Sequence, residues 1–242
     1  MLLPPPVTPP TLVDDALRDR GFAVLDAPGL AAFCGVGQGG FAELSPLWGD
    51  LPLDAYLRDG GRYRRRRHTS LVLEEGQLRM VPHRAHWQPV EYNALHGGME
   101  RWFEPVSDRL LQAPAFVQLM HALGRCASGL KGEQPWYVEV HQFRIDTTDG
   151  IGRPTPEGAH RDGVDLVAVV LVARSGIKGG ETRVFEAHGS HGIRFTLTEP
   201  WSALLLDDER VIHESTPIQP LDGPGYRDTL VVTLRAGGFQ GP

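Results

Sequence analysis

His160 and Asp162 stand two residues apart, just ahead of an apolar run that extends from Val164 to Val172. On an extended backbone, residues i and i+2 project to the same side, so an imidazole and a carboxylate would face one point together. Much further along, His213 closes a second apolar run that passes through Leu204, Leu205, Leu206, Val211 and Ile212. Two imidazoles and one carboxylate on one face of a divalent ion leave its other positions open, the ligand set of non-haem Fe(II) oxygen-activating sites. With ten histidines in the chain, a lone His-x-Asp says little. The residues beyond it sharpen the signal. Arg227 opens the last apolar run, Thr229–Leu234, and Thr229 shares its face. A guanidinium fork pairs bidentately with a carboxylate, and a hydroxyl adds a hydrogen bond. This pair is suited to anchoring a dicarboxylic cosubstrate whose other end reaches the metal.

A third group lies on the stretch Trp136–Arg144, where Glu139, His141 and Phe143 share one face while Gln142 and Arg144 share the other. Glu139, His141 and Arg144 are candidates for substrate or cosubstrate contact. The alternative is a buried polar network supporting the metal ligands. His68, His83, His86, His96, His188 and His191 read as loop residues.

The elements that must position these groups are mainly β. After about residue 130, candidate strands fall at 136–145, 165–173, 182–186, 193–198, 203–207, 211–213, 216–219 and 228–235, separated by Gly, Pro or Asp clusters. No helices alternate with them, which excludes a parallel βαβ sheet and points to a double-sheet jelly roll. Before that, Thr11 caps a helix through Leu12, Val13, Ala16 and Leu17 that Gly21 ends, and Phe22–Leu25 is a short strand. Residues 1–10 form an extended or mobile arm. Gly35-Val36-Gly37-Gln38-Gly39-Gly40 is a loop and not a phosphate cradle, because no strand leads into it and no P-loop Lys follows. Arg62-Tyr63-Arg64-Arg65-Arg66-Arg67 is a solvated edge strand or loop, with attraction of an anionic ligand as the alternative. Ser70–Leu73 and Leu78–Pro82 are strands about a Glu-Glu-Gly turn. Met99–Leu123 is helical, with Trp102, Phe103, Val106 and Leu110 as one stripe, a fresh start at Pro114 and a stop at Gly124.

At 242 residues the chain fits a single domain, with 1–130 as an N-terminal α/β elaboration packed on a metal core at 131–242. A net charge of −6 argues against nucleic acid as a partner. Cys34 and Cys126 have no metal or disulfide spacing and read as small buried side chains. No apolar run is long enough to span a membrane and the N-terminus lacks a leader pattern, so the expected location is cytoplasmic. A homo-oligomer is compatible with the sequence.

His160-Arg161-Asp162-Gly163-Val164-Asp165, Gly179-Gly180-Glu181-Thr182, Leu206-Asp207-Asp208-Glu209-Arg210 and His213 resemble the 2-oxoglutarate/Fe(II) dioxygenases of the bacterial isoleucine-hydroxylase type. Glu139–Arg144 matches the segment before their metal motif, and Tyr92-Asn93 with Gly97-Gly98-Met99 matches more loosely. The resemblance covers roughly 90–236. It implies an α+β protein, mainly β with helices, around a double-stranded β-helix (cupin-like jelly roll). It also implies Fe(II) on His160, Asp162 and His213, with the distal carboxylate of 2-oxoglutarate on Arg227. Relatives use O2 to hydroxylate free aliphatic L-amino acids, releasing succinate and CO2. Related halogenases have a small residue at the carboxylate position, so the intact Asp162 points to hydroxylation. The remaining alternatives are a peptide, carrier-bound or other small-metabolite substrate, or a cupin-like metal protein without 2-oxoglutarate.

Overall fold

The computed structural model describes residues 3–37 and 39–241, so Met1, Leu2, Gln38 and Pro242 lie outside the described residues. It contains a seven-stranded sheet in the order β1-β9-β5-β12-β4-β2-β3. These are Phe22–Leu25 (β1), Arg64–Glu74 (β2), Gln77–Met80 (β3), Trp136–Asp146 (β4), Leu166–Ser175 (β5), Ala203–Asp207 (β9) and Tyr226–Arg235 (β12). A smaller three-stranded sheet runs β10-β7-β8, built from Val211–Ser215, Thr182–Glu186 and Gly192–Phe195. Ile177–Gly179 (β6) pairs with Ile218–Pro220 (β11). All these pairings are antiparallel, and the architecture is a mostly β jelly roll. The major sheet takes strands from both sides of residue 130.

Period-two alternation gives the major sheet two different faces. One buries Val138, Val140, Ala168, Val170, Leu230, Val232 and Leu234. Against this face lies α4 (Pro114–Lys131), which presents Phe116, Leu119, Met120 and Leu123. Trp48 joins the same core and donates its indole N–H to the Thr229 carbonyl. The other face turns toward the smaller sheets and is apolar at one end only, around Val167, Leu171, Val184, Phe195 and Val211. At its other end it carries the polar residues of the site.

Several expectations change. The helix α1 spans Val13–Arg20 and ends at left-handed Gly21, but it is preceded by a 3₁₀ turn at Pro10–Leu12 and Thr11 does not cap it. The proline-rich arm is pinned: Val7 bridges Val24, the Thr8 amide donates to the Val24 carbonyl, and the Thr196 amide donates to that of Leu3. A helix absent from the sequence reading, α2 (Ala27–Cys34), is capped by Asp26, whose carboxylate accepts from the Gly29 amide. Residues 99–107 are not helical. Glu104 instead accepts from the His68 amide and Arg101 bridges His86, so this segment runs beside β2. A short helix α3 covers only Asp108–Leu111, and Trp102 is exposed. Gly124 does not end α4, which runs on to Lys131. A Cβ at Gly124 would meet the Leu73 side chain at 2.2 Å, so the glycine lets helix and sheet approach.

Candidate active site

The register of the major sheet assembles the floor of a cavity. On β12, Arg227, Thr229, Val231 and Thr233 stand opposite Ile145, Phe143, His141 and Glu139 of β4. On β2, Arg64 and Arg66 stand opposite Ile145 and Phe143. All of these line one partly enclosed cavity of about 120 Å³, with Val164, Val169, Gln88, Arg101, Glu157, His160, Asp162 and His213 also on its wall.

His160 and His213 are joined by an isolated antiparallel bridge. The His160 amide donates to the His213 carbonyl at 3.0 Å, and the reverse bond is 2.9 Å. Residues opposed in this way carry their side chains on one side, and the two imidazole centroids are 4.7 Å apart. Asp162 completes the group, with Oδ1 3.8 Å from His160 Nε2 and Oδ2 3.8 Å from His213 Nε2. One ligand atom from each of the three falls within 4.8 Å of the others. His160 Nδ1 is 2.9 Å from the Gly158 carbonyl, a contact that puts the ring proton on Nδ1 and leaves the Nε2 lone pair free for a metal. Burial and neighbouring His160 hold the His213 imidazole well below its ordinary value, in the neutral form a metal requires. The donor set therefore fits an iron(II) ion with open positions.

Backbone and neighbours hold Asp162 in place. Asp208 accepts from the amides of Asp162, Gly163 and Val164 at 3.0, 2.7 and 3.1 Å, so one carboxylate fixes the whole turn. Burial, with the Asp162 charge beside it, pushes the Asp208 carboxyl up to about 6. Gln88 donates its amide to Asp162 Oδ1 at 3.3 Å and accepts from Arg101 and Asn93. Gly163 adopts φ +76° beneath the Tyr92 ring, where a Cβ would sit 2.4 Å from ring carbons. Gln240 donates to the Asp162 and Gly163 carbonyls, bringing the C-terminal residues against the same turn.

At the other end of the floor, Arg227 and Thr229 are 4% and 3% exposed. The guanidinium has no carboxylate within 4.0 Å among the described residues, and its Nε lacks a hydrogen-bond partner. Burial, with Arg174 nearby, pushes Arg227 down to about 10. A buried cation without a counterion is costly, and a ligand carboxylate would relieve it.

The remaining wall departs from expectation. Arg64 and Arg66 are buried, not solvated: Arg64 donates to Asp54 at 2.7 Å, and the Arg66 guanidinium lies 3.9 Å from the Phe103 ring centroid and 4.4 Å from that of Phe143. Strand alternation sends these two inward and leaves Arg65 outside. His68 lies on β2 rather than in a loop, and His86, outside any named strand, is buried. His68 Nε2 and His86 Nδ1 each lie 3.2 Å from a Glu139 oxygen, and Arg66 Nη2 is 2.7 Å from His141 Nδ1. Burial drives the His86 ring down to about 3 and the His68 and His141 rings below their ordinary value, while His86 and His68 hold Glu139 ionised against its burial. Arg144 does not reach the cavity. It occupies the opposite face, in a bidentate pair with Asp228 at 2.8 and 2.7 Å.

The model of the family described as 2OG-Fe dioxygenase matches residues 45–233. The chain belongs to this family. It is an Fe(II)- and 2-oxoglutarate-dependent dioxygenase, using O2. The dioxygenase is 52% identical to a bsmA homolog from Methylobium petroleophilum PM1, with a TM-score of 0.93 over 98% of this chain and 96% of that one. Two more distant structures share the fold. IDO from Bacillus thuringiensis has 16% identity and a TM-score of 0.76 over 96% of this chain and 100% of that one. The Fe(II)/(alpha)ketoglutarate-dependent dioxygenase TqaL has 19% identity and a TM-score of 0.71 over 96% and 89%. No curated protein sequence matches the chain significantly.

Of the residues read from sequence, the dioxygenase brings His160, Asp162, His213, Arg227, Thr229, Glu139 and His141 to one cavity. Sequence reasoning missed Gln88, Arg101 and Glu157, which irregular segments deliver and no spacing rule marks. Arg64 and Arg66 did carry a signal: with His68 they form a period-two row at the start of β2.

Proposed function

We propose that this dioxygenase hydroxylates an unactivated C–H bond of a free L-amino acid, expected to be aliphatic, while 2-oxoglutarate becomes succinate and CO2. His160, Asp162 and His213 hold the Fe(II), and Arg227 with Thr229 holds the distal carboxylate of 2-oxoglutarate. One observation carries this reading: a single cavity contains both an open three-ligand set and, beside Thr229, the buried Arg227 guanidinium with no carboxylate within 4.0 Å among the described residues. Iron and 2-oxoglutarate, when bound, supply the oxidising power that side chains lack. The chain's own residues fix geometry and exclude water. Asp208, Gln88 and the Gly158 carbonyl orient the ligands, and Phe143, Val164, Val169 and Val231 give the cavity an apolar lining. The small, partly enclosed space favours a small molecule over a polypeptide.

The test is an anaerobic mixture of protein, Fe(II), 2-oxoglutarate and the common amino acids, followed by admission of air and mass spectrometry. A product one oxygen atom heavier, formed with succinate, is expected. Arg227→Ala should abolish 2-oxoglutarate turnover; undiminished turnover in that variant would refute the assignment.

A further inference from the structure

Among the described residues, four buried arginines line the cavity, and they are not equally provided for. Arg64 donates to Asp54 at 2.7 Å, and Arg66 has the same carboxylate at 3.9 Å as well as His141 at 2.7 Å. Arg227 and Arg101 have no carboxylate within 4.0 Å among the described residues. The first awaits 2-oxoglutarate in the reading above. Arg101 is 2% exposed, and among the described residues its guanidinium bonds only to the Gln88 side-chain amide oxygen, at 3.0 Å, leaving Nε without a partner. Arg101 could thus take an anion of its own, one that 2-oxoglutarate would not supply if its other carboxylate went to the metal.

One anion is likewise left over. The Glu157 side chain is 11% exposed, and its Oε2 is buried without any hydrogen-bond partner among the described residues. Its other oxygen is 3.6 Å from His160 Nε2, and among the described residues no Lys or Arg lies within 4.0 Å. Glu139 cannot do this work. Both its oxygens are engaged by His68 and His86, with Arg84 at 3.5 Å. Glu157 and Arg101 line the same cavity.

We propose that Arg101 and Glu157 are the two anchors of the substrate, the guanidinium taking its carboxylate and the carboxylate taking its ammonium. The substrate is then an amino acid with both groups free, whose zwitterion supplies one charge of each sign to the two side chains that lack them. Acylation of the nitrogen, as in a peptide, removes the charge Glu157 requires. Esterification or thioester attachment of the carboxyl removes the charge Arg101 requires. The inference rests on the iron and 2-oxoglutarate reading, and the two can fail separately.

The experiment uses the full chain under anaerobic conditions with Fe(II) and 2-oxoglutarate, and measures ligand affinity by calorimetry and thermal shift. Stabilisation by 2-oxoglutarate that requires Fe(II) is measured first; its absence sinks the functional reading itself. The twenty common L-amino acids are then screened, and the strongest binder is compared with its N-acetyl derivative, its methyl ester and its 2-hydroxy acid analogue. Wild type should bind each derivative roughly 100-fold more weakly than the parent. Arg101→Gln should lose a similar factor for the parent and little for the ester. Glu157→Gln should lose it for the parent and little for the 2-hydroxy acid. Both variants should still bind Fe(II) and 2-oxoglutarate, Glu157→Gln with wild-type Fe(II) affinity and Arg101→Gln with no more than the loss expected from its bond to Gln88. If Arg101→Gln does not fold, the wild-type comparison of derivatives and the Arg101→Lys variant decide the matter. The proposal is overturned if no amino acid binds, if the derivatives bind as well as the parent, or if neither variant affects parent affinity. It is also overturned if Glu157→Gln weakens Fe(II) binding, which would place that carboxylate on the metal.

Discussion

Asp162 lies ahead of β5, outside any strand, and owes its position to its neighbours. Asp208 gathers three successive amides around it, and Gln88 donates to Oδ1. Groups that orient a metal ligand typically change metal affinity by about 10–100-fold when removed. Gln88→Leu should therefore weaken Fe(II) binding by about that factor, measured by anaerobic titration; an unchanged affinity would show that Asp208 alone suffices. Asp208→Ala should lower stability by about 3 kcal/mol in urea unfolding, because it strands the amides of Asp162, Gly163 and Val164. At this scale the sequence was informative where chemistry restricts residue type at fixed spacing, as for His160, Asp162 and Arg227 with Thr229. Gln88, Arg101 and Glu157 had no such mark. They are ordinary polar residues until irregular backbone sets them around one cavity. Arg144 misled because its type suited an anion while its strand parity sent it to Asp228.

Elements were legible where alternation and punctuation agreed. Residues 136–145 and 203–207 coincide with β4 and β9 to within a residue. The segment 99–107 failed because its apolar residues satisfy contacts with β2, with Phe103 on Arg66, rather than a helical stripe. Asp26, Pro28 and Gly35 are cap, first-turn and stop signals for α2, but the glycines after Cys34 drew the eye to a loop. The connection from β4 to His160 is anchored where Gly152 and Ile218 exchange backbone hydrogen bonds of 3.0 and 2.8 Å. A Cβ at Gly152 would lie 2.6 Å from the Asp146 carbonyl oxygen and 2.7 Å from Ile145 Cγ2. Gly152→Ala should push this connection off the sheet, costing about 1–3 kcal/mol. It should also weaken Fe(II) binding, since the same segment carries His160. Wild-type melting temperature and metal affinity in that variant would refute the close approach.

For the whole molecule, the buried group of His68, His86 and His141 sets an acid limit. Burial keeps these rings neutral when folded, whereas the unfolded chain protonates them below about pH 6.5. The unfolded state then binds more protons, so stability is fully present above that pH and is lost as pH falls below it. Each ring contributes roughly 1.4 kcal/mol per pH unit in this range. The depressed Glu139 acts in the same sense at lower pH, below about 4.5. The urea midpoint should fall between pH 7.5 and 5.5, and a flat or rising midpoint would contradict the buried neutral cluster. The rung between His160 and His213 has a different consequence. Their spacing is written in two peptide hydrogen bonds, so the socket is finished before an ion arrives. Chelator treatment should strip the protein reversibly, with unchanged circular dichroism, and reloading should follow simple second-order kinetics without a refolding lag. That behaviour is the reverse of a zinc finger, whose chain collapses only around its metal.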